Sequence, residues 1–414
     1  MAQSMAASHA RNKRLQDAIF GASEACRQAV AGYGEEKVTN LTIGTMYGDD
    51  GKIALLPTME RVYRSLPMEE IIAYAPITGL PAYRQTVIDL TFAEQQPSGY
   101  TASIATAGGT GALRLALANY AERGTAVLTS DWYWSNYKVL ANECGCTLAT
   151  YPLFDENQNF NRAAYEETVA SLMAKQDSLV TIINTPAHNP TGFSLSEADW
   201  DDVLAVTKKC ARQGKKMTIV VDIAYIDYAG EKRETRKFMQ RFANLPENVL
   251  ILFAFSMSKS YTCYGQRTGA LIALSDDKDV INEFTEVCKY SSRATWSNIN
   301  RGAQALLVAL HADKAAHAAF EKERQEYYQL VQHRGDIFMD EAKACGLKAL
   351  PYKGGFFLSV PAKDPQAVCN ELHKELIFAV PLALGLRVAA CSVSTEKMHG
   401  VAAKVKQALE RVEG

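Results

Sequence analysis

Between residues 100 and 275, short apolar runs rich in β-branched residues alternate with longer stretches whose apolar residues recur every three to four positions. The short runs are Ser103–Thr106, Ala126–Thr129, Thr147–Tyr151, Leu179–Asn184, Met217–Asp222, Val249–Phe255 and Gly269–Leu274, each with the length and composition of a strand. Helical periodicity occupies Gly111–Glu122, Arg162–Lys175 and Ser196–Gln213, the last opening on Ser196-Glu-Ala-Asp199, a helix-start signal. This alternation predicts an α/β fold: a doubly wound, mostly parallel seven-stranded sheet with helical crossovers. Val249–Phe255 is apolar throughout, as a strand covered on both faces must be.

The flanks follow another pattern. Residues 14–31 read as a helix with Leu15, Ile19, Cys26 and Val30 on its buried side. Val38–Ile43 is strand-like and ends at Gly44, and Asp49-Asp50-Gly51 is turn chemistry. After Gly302, Ala303–Lys343 reads as one long helical region, Gly354–Val360 as a strand and Pro365–Leu376 as a helix. Arg387–Ala390 is a further strand and Glu396–Val412 a closing helix. The expected division is a large domain over 51–315 and a smaller α+β domain assembled from the two chain ends, 1–50 and 316–414.

Composition adds mainly exclusions. The charges nearly cancel, 44 Lys and Arg against 46 Asp and Glu, so neither nucleic acid nor a membrane is expected as a partner. No apolar run approaches the roughly 20 residues of a spanning helix. Met1–Arg14 has basic residues but no apolar segment after them, so no secretory leader is expected. The nine cysteines lack a metal-ligand spacing, and Cys144-Gly-Cys146 is too tight for one. Reduced thiols, mostly buried, of a cytoplasmic protein fit them, with no metal. His311 and His317 are spaced so that one helix would not present both on the same face, and they read as ordinary histidines.

Candidate chemistry gathers where the strands end. Ala107-Gly-Gly109-Thr110-Gly-Ala112 is a glycine-rich turn opening a helix, which offers free N–H groups and the helix dipole to a phosphate. It has neither the spacing nor the lysine of a nucleotide-binding loop. Asp131–Tyr137 carries four aromatics, of which Trp134 can stack on a flat ring. Asn189, in a loop of turn residues, can donate to a phenolic oxygen. Asp222 ends a buried strand, where a carboxylate is costly unless compensated; a pyridinium nitrogen would compensate it, with Tyr225 in reach of the ring hydroxyl. Ser256 and Arg267 supply a hydroxyl and a bidentate cation for phosphate, and Lys259 lies between them, just past a buried strand. Together these point to pyridoxal phosphate held as a Schiff base on Lys259.

The motifs resemble those of a known family. NLTIGTMYGDDGK, YAPITGLPAYR, GGTGAL, WSNY, HNPTG, VVDIAYIDYA, SMSKSYTCYGQRTGAL, RATWSN and LGLRVAA occur in order from about residue 38 to the C-terminus. The chain thereby resembles the fold-type I pyridoxal phosphate enzymes, and among them the class I aspartate and aromatic aminotransferases. The resemblance implies Lys259 as the Schiff-base lysine, Asp222 against the pyridine nitrogen, Asn189 and Tyr225 at the ring hydroxyl, and Trp134 on the ring. Gly109, Thr110, Ser256 and Arg267 would hold the phosphate. Arg387, with Gly44 and Asn189, would clamp the substrate α-carboxylate. Tyr74 would reach the phosphate, and Arg293 a distal substrate carboxylate, of the neighbouring subunit in a homodimer. The implied activity is ping-pong transfer of an amino group from an L-amino acid, aspartate or aromatic, to a 2-oxo acid such as 2-oxoglutarate. The alternatives are another pyridoxal phosphate reaction on this scaffold (β-lyase, decarboxylase or synthase) and a non-catalytic regulatory relative. Two residues depart from the family pattern: Tyr137, where a histidine is common, and Gly108, where a hydroxyl residue is common.

Overall fold

The computed structural model describes residues 5–11, 13–15 and 18–414. Part of the stretch read for a leader, and positions 16 and 17 of the first expected helix, lie outside them. In chain order the strands are β1 (Thr39–Asn40), β2 (Tyr100–Thr106), β3 (Ala126–Ser130), β4 (Thr147–Tyr151), β5 (Ser178–Asn184), β6 (Lys216–Asp222), β7 (Val249–Ser256) and β8 (Gly269–Ser275). Past these come β9 (Phe357–Pro361), β10 (Ile377–Phe378), β11 (Val380–Leu382) and β12 (Gly385–Ala389).

The seven expected strands form one sheet in the order β2-β8-β7-β6-β5-β3-β4, all parallel except β8, which runs antiparallel to both neighbours. Side chains alternate between its two covered faces, as a strand's period of two requires. Along β6, Ile219 and Val221 join one apolar core and Val220 the other. β3 lies between β4 and β5, so the strand order reverses there, and a crevice at such a reversal is where open α/β sheets bind ligands. The helix Glu197–Ala211 starts as its sequence predicts: Ser196 and Asp199 form a reciprocal capping box.

The remaining strands build smaller sheets. β11, β12 and β9 form an antiparallel three-stranded sheet, and β1 pairs in parallel with β10, bringing the N-terminal part to the C-terminal part. Leu41 shares a core with Phe338, Leu358, Val388 and Val405. Among the described residues no helix is long and apolar enough to cross a membrane.

Several expectations need correction. The first helix spans Ala18–Tyr33, and Leu15 precedes it and is 66% exposed; Cys26 is buried, while Ile19 and Val30 are half-buried. Of Val38–Ile43, only Thr39–Asn40 pairs as a strand, because the Asn40 side chain accepts from both the amide and the hydroxyl of Thr42 and turns the chain. The expected helix 303–343 is two, Arg301–Ala312 and Lys314–Cys345. Asp313 takes an extended conformation between them, and its carboxylate caps Ala315 and Ala316. That break brings the His311 and His317 rings within 4.3 Å. The closing helix is likewise split into Thr395–Met398 and Val401–Glu413 by Gly400, at φ +80°.

Candidate active site

The carboxyl ends of β3, β5, β6 and β7, with the turn after β2, surround a cavity of about 320 Å³, a size suited to a small cofactor or substrate. Gly44, Gly109, Thr110, Trp134, Asn189, Asp222, Tyr225, Ser256, Lys259, Arg267 and Arg387 all line it. Of the expected site residues, Tyr74 and Arg293 lie elsewhere. Tyr74 is 88% exposed. Arg293 is exposed in a separate surface cleft with Ile77, Lys289 and Tyr290 and bonds Ser297.

Lys259 sits on the short helix Met257–Ser260, whose start is capped by the Ser256 hydroxyl accepting from the Ser258 amide. Its Nζ donates to the Gly44 carbonyl at 2.5 Å and lies 5.0 Å from the Tyr264 ring centre. Burial, helped by the Arg387 and Arg267 charges, brings the ammonium down to about 8. A Cβ on Gly44 would stand 2.9 Å from Phe357 Cζ and 3.4 Å from Lys259 Nζ, so a glycine is what lets that carbonyl reach the lysine.

Asp222 is held from two sides. The Tyr137 hydroxyl donates to Oδ2 at 2.6 Å, and the Ala224 amide to Oδ1 at 3.2 Å. Burial pushes the carboxyl up; these donors pull it back part of the way. Its backbone is fixed by Asn184, which lies opposite in the β5–β6 register: the Asn184 amide donates to the Asp222 carbonyl at 2.8 Å, and its Oδ1 accepts from Asn189 at 2.6 Å.

At the other end, the helix Gly108–Tyr120 points its N-terminus into the cavity through Gly109 and Thr110. Arg267, in the left-handed region at φ +49°, donates to Ser258 Oγ at 3.2 Å and to the Tyr264 carbonyl at 2.9 Å. Gly108 has φ +69°, and a Cβ there would fall 2.6 Å from Arg267 Nη2. The departure at Gly108 is therefore a steric requirement of this turn as well as a lost hydroxyl.

Arg387 on β12 donates to the Thr42 carbonyl at 2.7 Å and to Asn189 Oδ1 at 3.3 Å, with its guanidinium 4.2 Å over the Phe357 ring. The segment that supplies the Thr42 and Gly44 carbonyls is anchored farther along. The Met46 amide donates to the Tyr264 hydroxyl at 2.9 Å. Arg334, fully buried, donates to the Tyr47 carbonyl at 2.9 Å and pairs with Asp49 at 2.8 Å.

Sequence reasoning missed Thr42, Asn184, Tyr264, Phe357 and Ile19 as parts of this site. Asn184 had a usable signal, a polar residue closing an apolar strand beside Asp222's own. Thr42 had none, because it acts through its backbone.

The donor set fits pyridoxal phosphate. Asp222 is a buried carboxylate whose side-chain donors among the described residues, the Tyr137 hydroxyl and the Ala224 amide, are neutral, which leaves its charge for a protonated ring nitrogen. Lys259, Arg267 and Arg387 outnumber that carboxylate, leaving positive charge for a phosphate at one end and a carboxylate at the other. No group of His, Cys, Asp or Glu among the described residues could hold a metal.

The family model for aminotransferase class I and II matches residues 36–405. A tyrosine aminotransferase of Klebsiella pneumoniae is 31% identical over 293 residues, covering 69% of this chain and 71% of that protein. A mitochondrial aspartate aminotransferase of Schizosaccharomyces pombe is 29% identical over 293 residues, 68% of this chain and 63% of that one. The crystal structure of an aminotransferase from Anaerococcus prevotii superposes with a TM-score of 0.96 at 36% identity, covering 98% of this chain and 100% of that one.

Proposed function

The chain belongs to the class I and II aminotransferases and works with pyridoxal phosphate, and from that premise we propose a role for each residue of the cavity. Lys259 attaches the cofactor. Asp222 faces the ring nitrogen, Asn189 and Tyr225 the ring hydroxyl, and Trp134 a ring face. Gly109, Thr110, Ser256 and Arg267 hold the phosphate, and Arg387, helped by Gly44 and Asn189, holds the substrate α-carboxylate. The observation that carries this reading is the convergence of Lys259, Asp222, Arg267 and Arg387 on one 320 Å³ cavity.

When bound, pyridoxal phosphate supplies an electron sink for charge developing at the substrate Cα and carries the amino group between the two half-reactions of a ping-pong cycle. The chain supplies orientation and proton transfer. Arg387 binds the α-carboxylate through two of its guanidinium nitrogens and so fixes which Cα bond is aligned to break. Lys259 would act as general base toward the Cα proton and then as general acid, delivering it to a carbon other than Cα so that the amino group can leave the substrate. An amine near pH 8 suits that exchange at neutral pH, and a positioned acid–base group is worth about 10²–10⁴-fold in rate.

The proposed amino donors are aspartate and aromatic amino acids, with 2-oxoglutarate as an acceptor; the named activities of the relatives support both classes. Tyr74 and Arg293 are exposed and outside the cavity of their own chain, which supports a homodimer in which each serves its neighbour. Exposed Met68, Ile72 and Tyr290 are apolar surface such a dimer would cover. Residues 51–315 are taken as the cofactor-binding domain and 1–50 with 316–414 as the smaller one. A cytoplasmic setting is supported by nine cysteines without a disulfide, seven of them buried.

A donor panel tests the proposal: aspartate, tyrosine and phenylalanine against 2-oxoglutarate, with the parent enzyme and Arg293→Ala. Glutamate should form with each donor in the parent, and the variant, assayed with the monocarboxylic acceptor phenylpyruvate in place of 2-oxoglutarate, should lose aspartate activity selectively. Ammonia or CO₂ released without glutamate would move the reading to another pyridoxal phosphate reaction. Equal aspartate activity in parent and variant would remove Arg293 from the site.

A further inference from the structure

The side chain that answers Asp222 from behind is a phenol. Tyr137 is fully buried on the helix Asn136–Glu143, with its ring edge-on to Trp134 at 5.7 Å and its hydroxyl 2.6 Å from Asp222 Oδ2. We propose that Tyr137 is a positioning residue for the cofactor: its hydrogen bond keeps Asp222 ionised, so that the proton shared between Asp222 and the ring nitrogen stays on the nitrogen. The inference rests on the placement of the ring nitrogen at Asp222 proposed above.

Relative proton affinity decides where the shared proton sits. A buried carboxylate is a stronger base than an exposed one, because its charge is poorly solvated. Placed against a pyridinium in a dry site, it competes for the ring's proton. Each donor to the carboxylate stabilises the ionised form and weakens that competition. Asp222 has two donors, Tyr137 and the Ala224 amide, and the Tyr137 bond is the shorter by 0.6 Å (3.2 against 2.6 Å). Burial first, and the Asp222 charge second, push the Tyr137 phenol well above its ordinary value, so it remains a neutral donor.

Among the described residues no other titrating group takes this role. Tyr225 faces the pair from the turn after β6, and its hydroxyl is raised by burial. Lys259 and Arg267, after β7, and Arg387, on β12, line the same cavity, and Cys391, after β12, acts on Tyr225 and Lys259. On Tyr137's own helix Lys138 and Glu143 are exposed. On the helix packed against it, Arg114 acts on Glu143 and Cys144. His188, on the loop after β5, bonds Thr191 instead.

The test uses pyridoxamine phosphate, which has the same ring and phosphate but cannot be attached to Lys259. Its affinity is measured by calorimetry, and the protonation of its ring nitrogen by the ¹⁵N shift of labelled ligand, from pH 6 to 9. In the parent the nitrogen should be protonated throughout. In Tyr137→Phe its signal should move toward the unprotonated position, and binding should weaken about 10- to 100-fold, the expected effect of deleting a hydrogen bond to a charged group. Tyr137→His restores a donor, the imidazole N–H, and should return shift and affinity toward the parent values. Parent-like shift and affinity in the Phe variant, or no recovery in the His variant, would overturn the proposal. Asp222→Ala separates the two readings. If it binds as tightly as the parent, the placement of the ring itself is wrong and both fall; if it binds weakly while Tyr137→Phe binds normally, the role of Tyr137 alone falls.

Discussion

The lowered basicity of Lys259 has a consequence that can be measured before any substrate is added. Covalent attachment of pyridoxal phosphate requires a neutral amine. Burial, with Arg387 and Arg267 adding to it, puts that amine at about 8. At pH 7 about a tenth of it is then neutral, whereas a free lysine at about 10.4 is neutral in about one part in 2,500, so the cavity raises the reactive fraction by about 200-fold. The attachment rate of pyridoxal phosphate to cofactor-free protein, followed by stopped-flow visible absorption, should rise roughly ninefold from pH 6 to 7 and roughly fivefold from 7 to 8, then level off above 9. A rate still climbing tenfold per unit through pH 9.5 would show an ordinary lysine and refute the electrostatic reading. Arg387→Met removes one of the charges, so its bend should move to higher pH; a bend at lower pH contradicts the assignment of cause. The same shift acts on folding. Between about pH 8 and 10.4 the unfolded chain holds more protons on this group than the folded chain does, so its contribution makes the cofactor-free protein more stable as pH rises through that window. Below pH 8 the penalty of the buried ammonium is constant.

Two further outcomes follow from geometry. Gly108→Ala must place a Cβ at φ +69° and 2.6 Å from Arg267 Nη2, so it should lower stability by about 1–3 kcal/mol in urea unfolding and weaken pyridoxamine phosphate binding; unchanged affinity would separate Gly108 from the phosphate site. Asp227 is buried between Arg236 at 2.7 Å and Arg324 at 3.0 Å, and against a burial that pushes its carboxyl up, Arg324 and Arg236 hold it well below the usual range. Asp227→Asn leaves two buried guanidinium groups poorly compensated and should cost about 3–5 kcal/mol. In the parent this contribution is complete above about pH 4, the unfolded value, and is lost as the pH falls toward the folded one, so the variant's stability should depend less on pH in the acid range.

The sheet was legible because its strands are covered on both faces, and continuous apolar runs such as Val249–Phe255 mark such strands wherever the register falls. β2 was read three residues short because Tyr100 is exposed and Thr101 and Ala102 are half-buried, so its outer part carries no apolar signal. The helix break at Asp313 was hidden by alanines on both sides that favour continuation, although an aspartate two residues before Ala315 is a cap in plain sight. With the break unseen, one regular helix could not bring His311 and His317 together. The residues around Lys259 stood out because each carries chemistry unusual at a strand end: a charge, an amide, a glycine turn. Phe357 and Tyr264 did not, because an aromatic in an apolar or turn setting reads as packing.

The Thr42 and Gly44 carbonyls touch the two cations that matter most, Arg387 and Lys259, yet neither contact belongs to a side chain. Alanine scanning at Thr42 would remove its hydroxyl's bond to Asn40 but not its acceptor, the carbonyl that meets Arg387. The backbone path that carries both carbonyls is maintained from outside the cavity, by the Asn40 turn and by Arg334 on Tyr47 and Asp49. Loss of function from changes at Asn40, Asp49 or Arg334 would thus register in a mutational map as scattered hits remote from the chemistry, when all three act on the placement of the same two oxygen atoms.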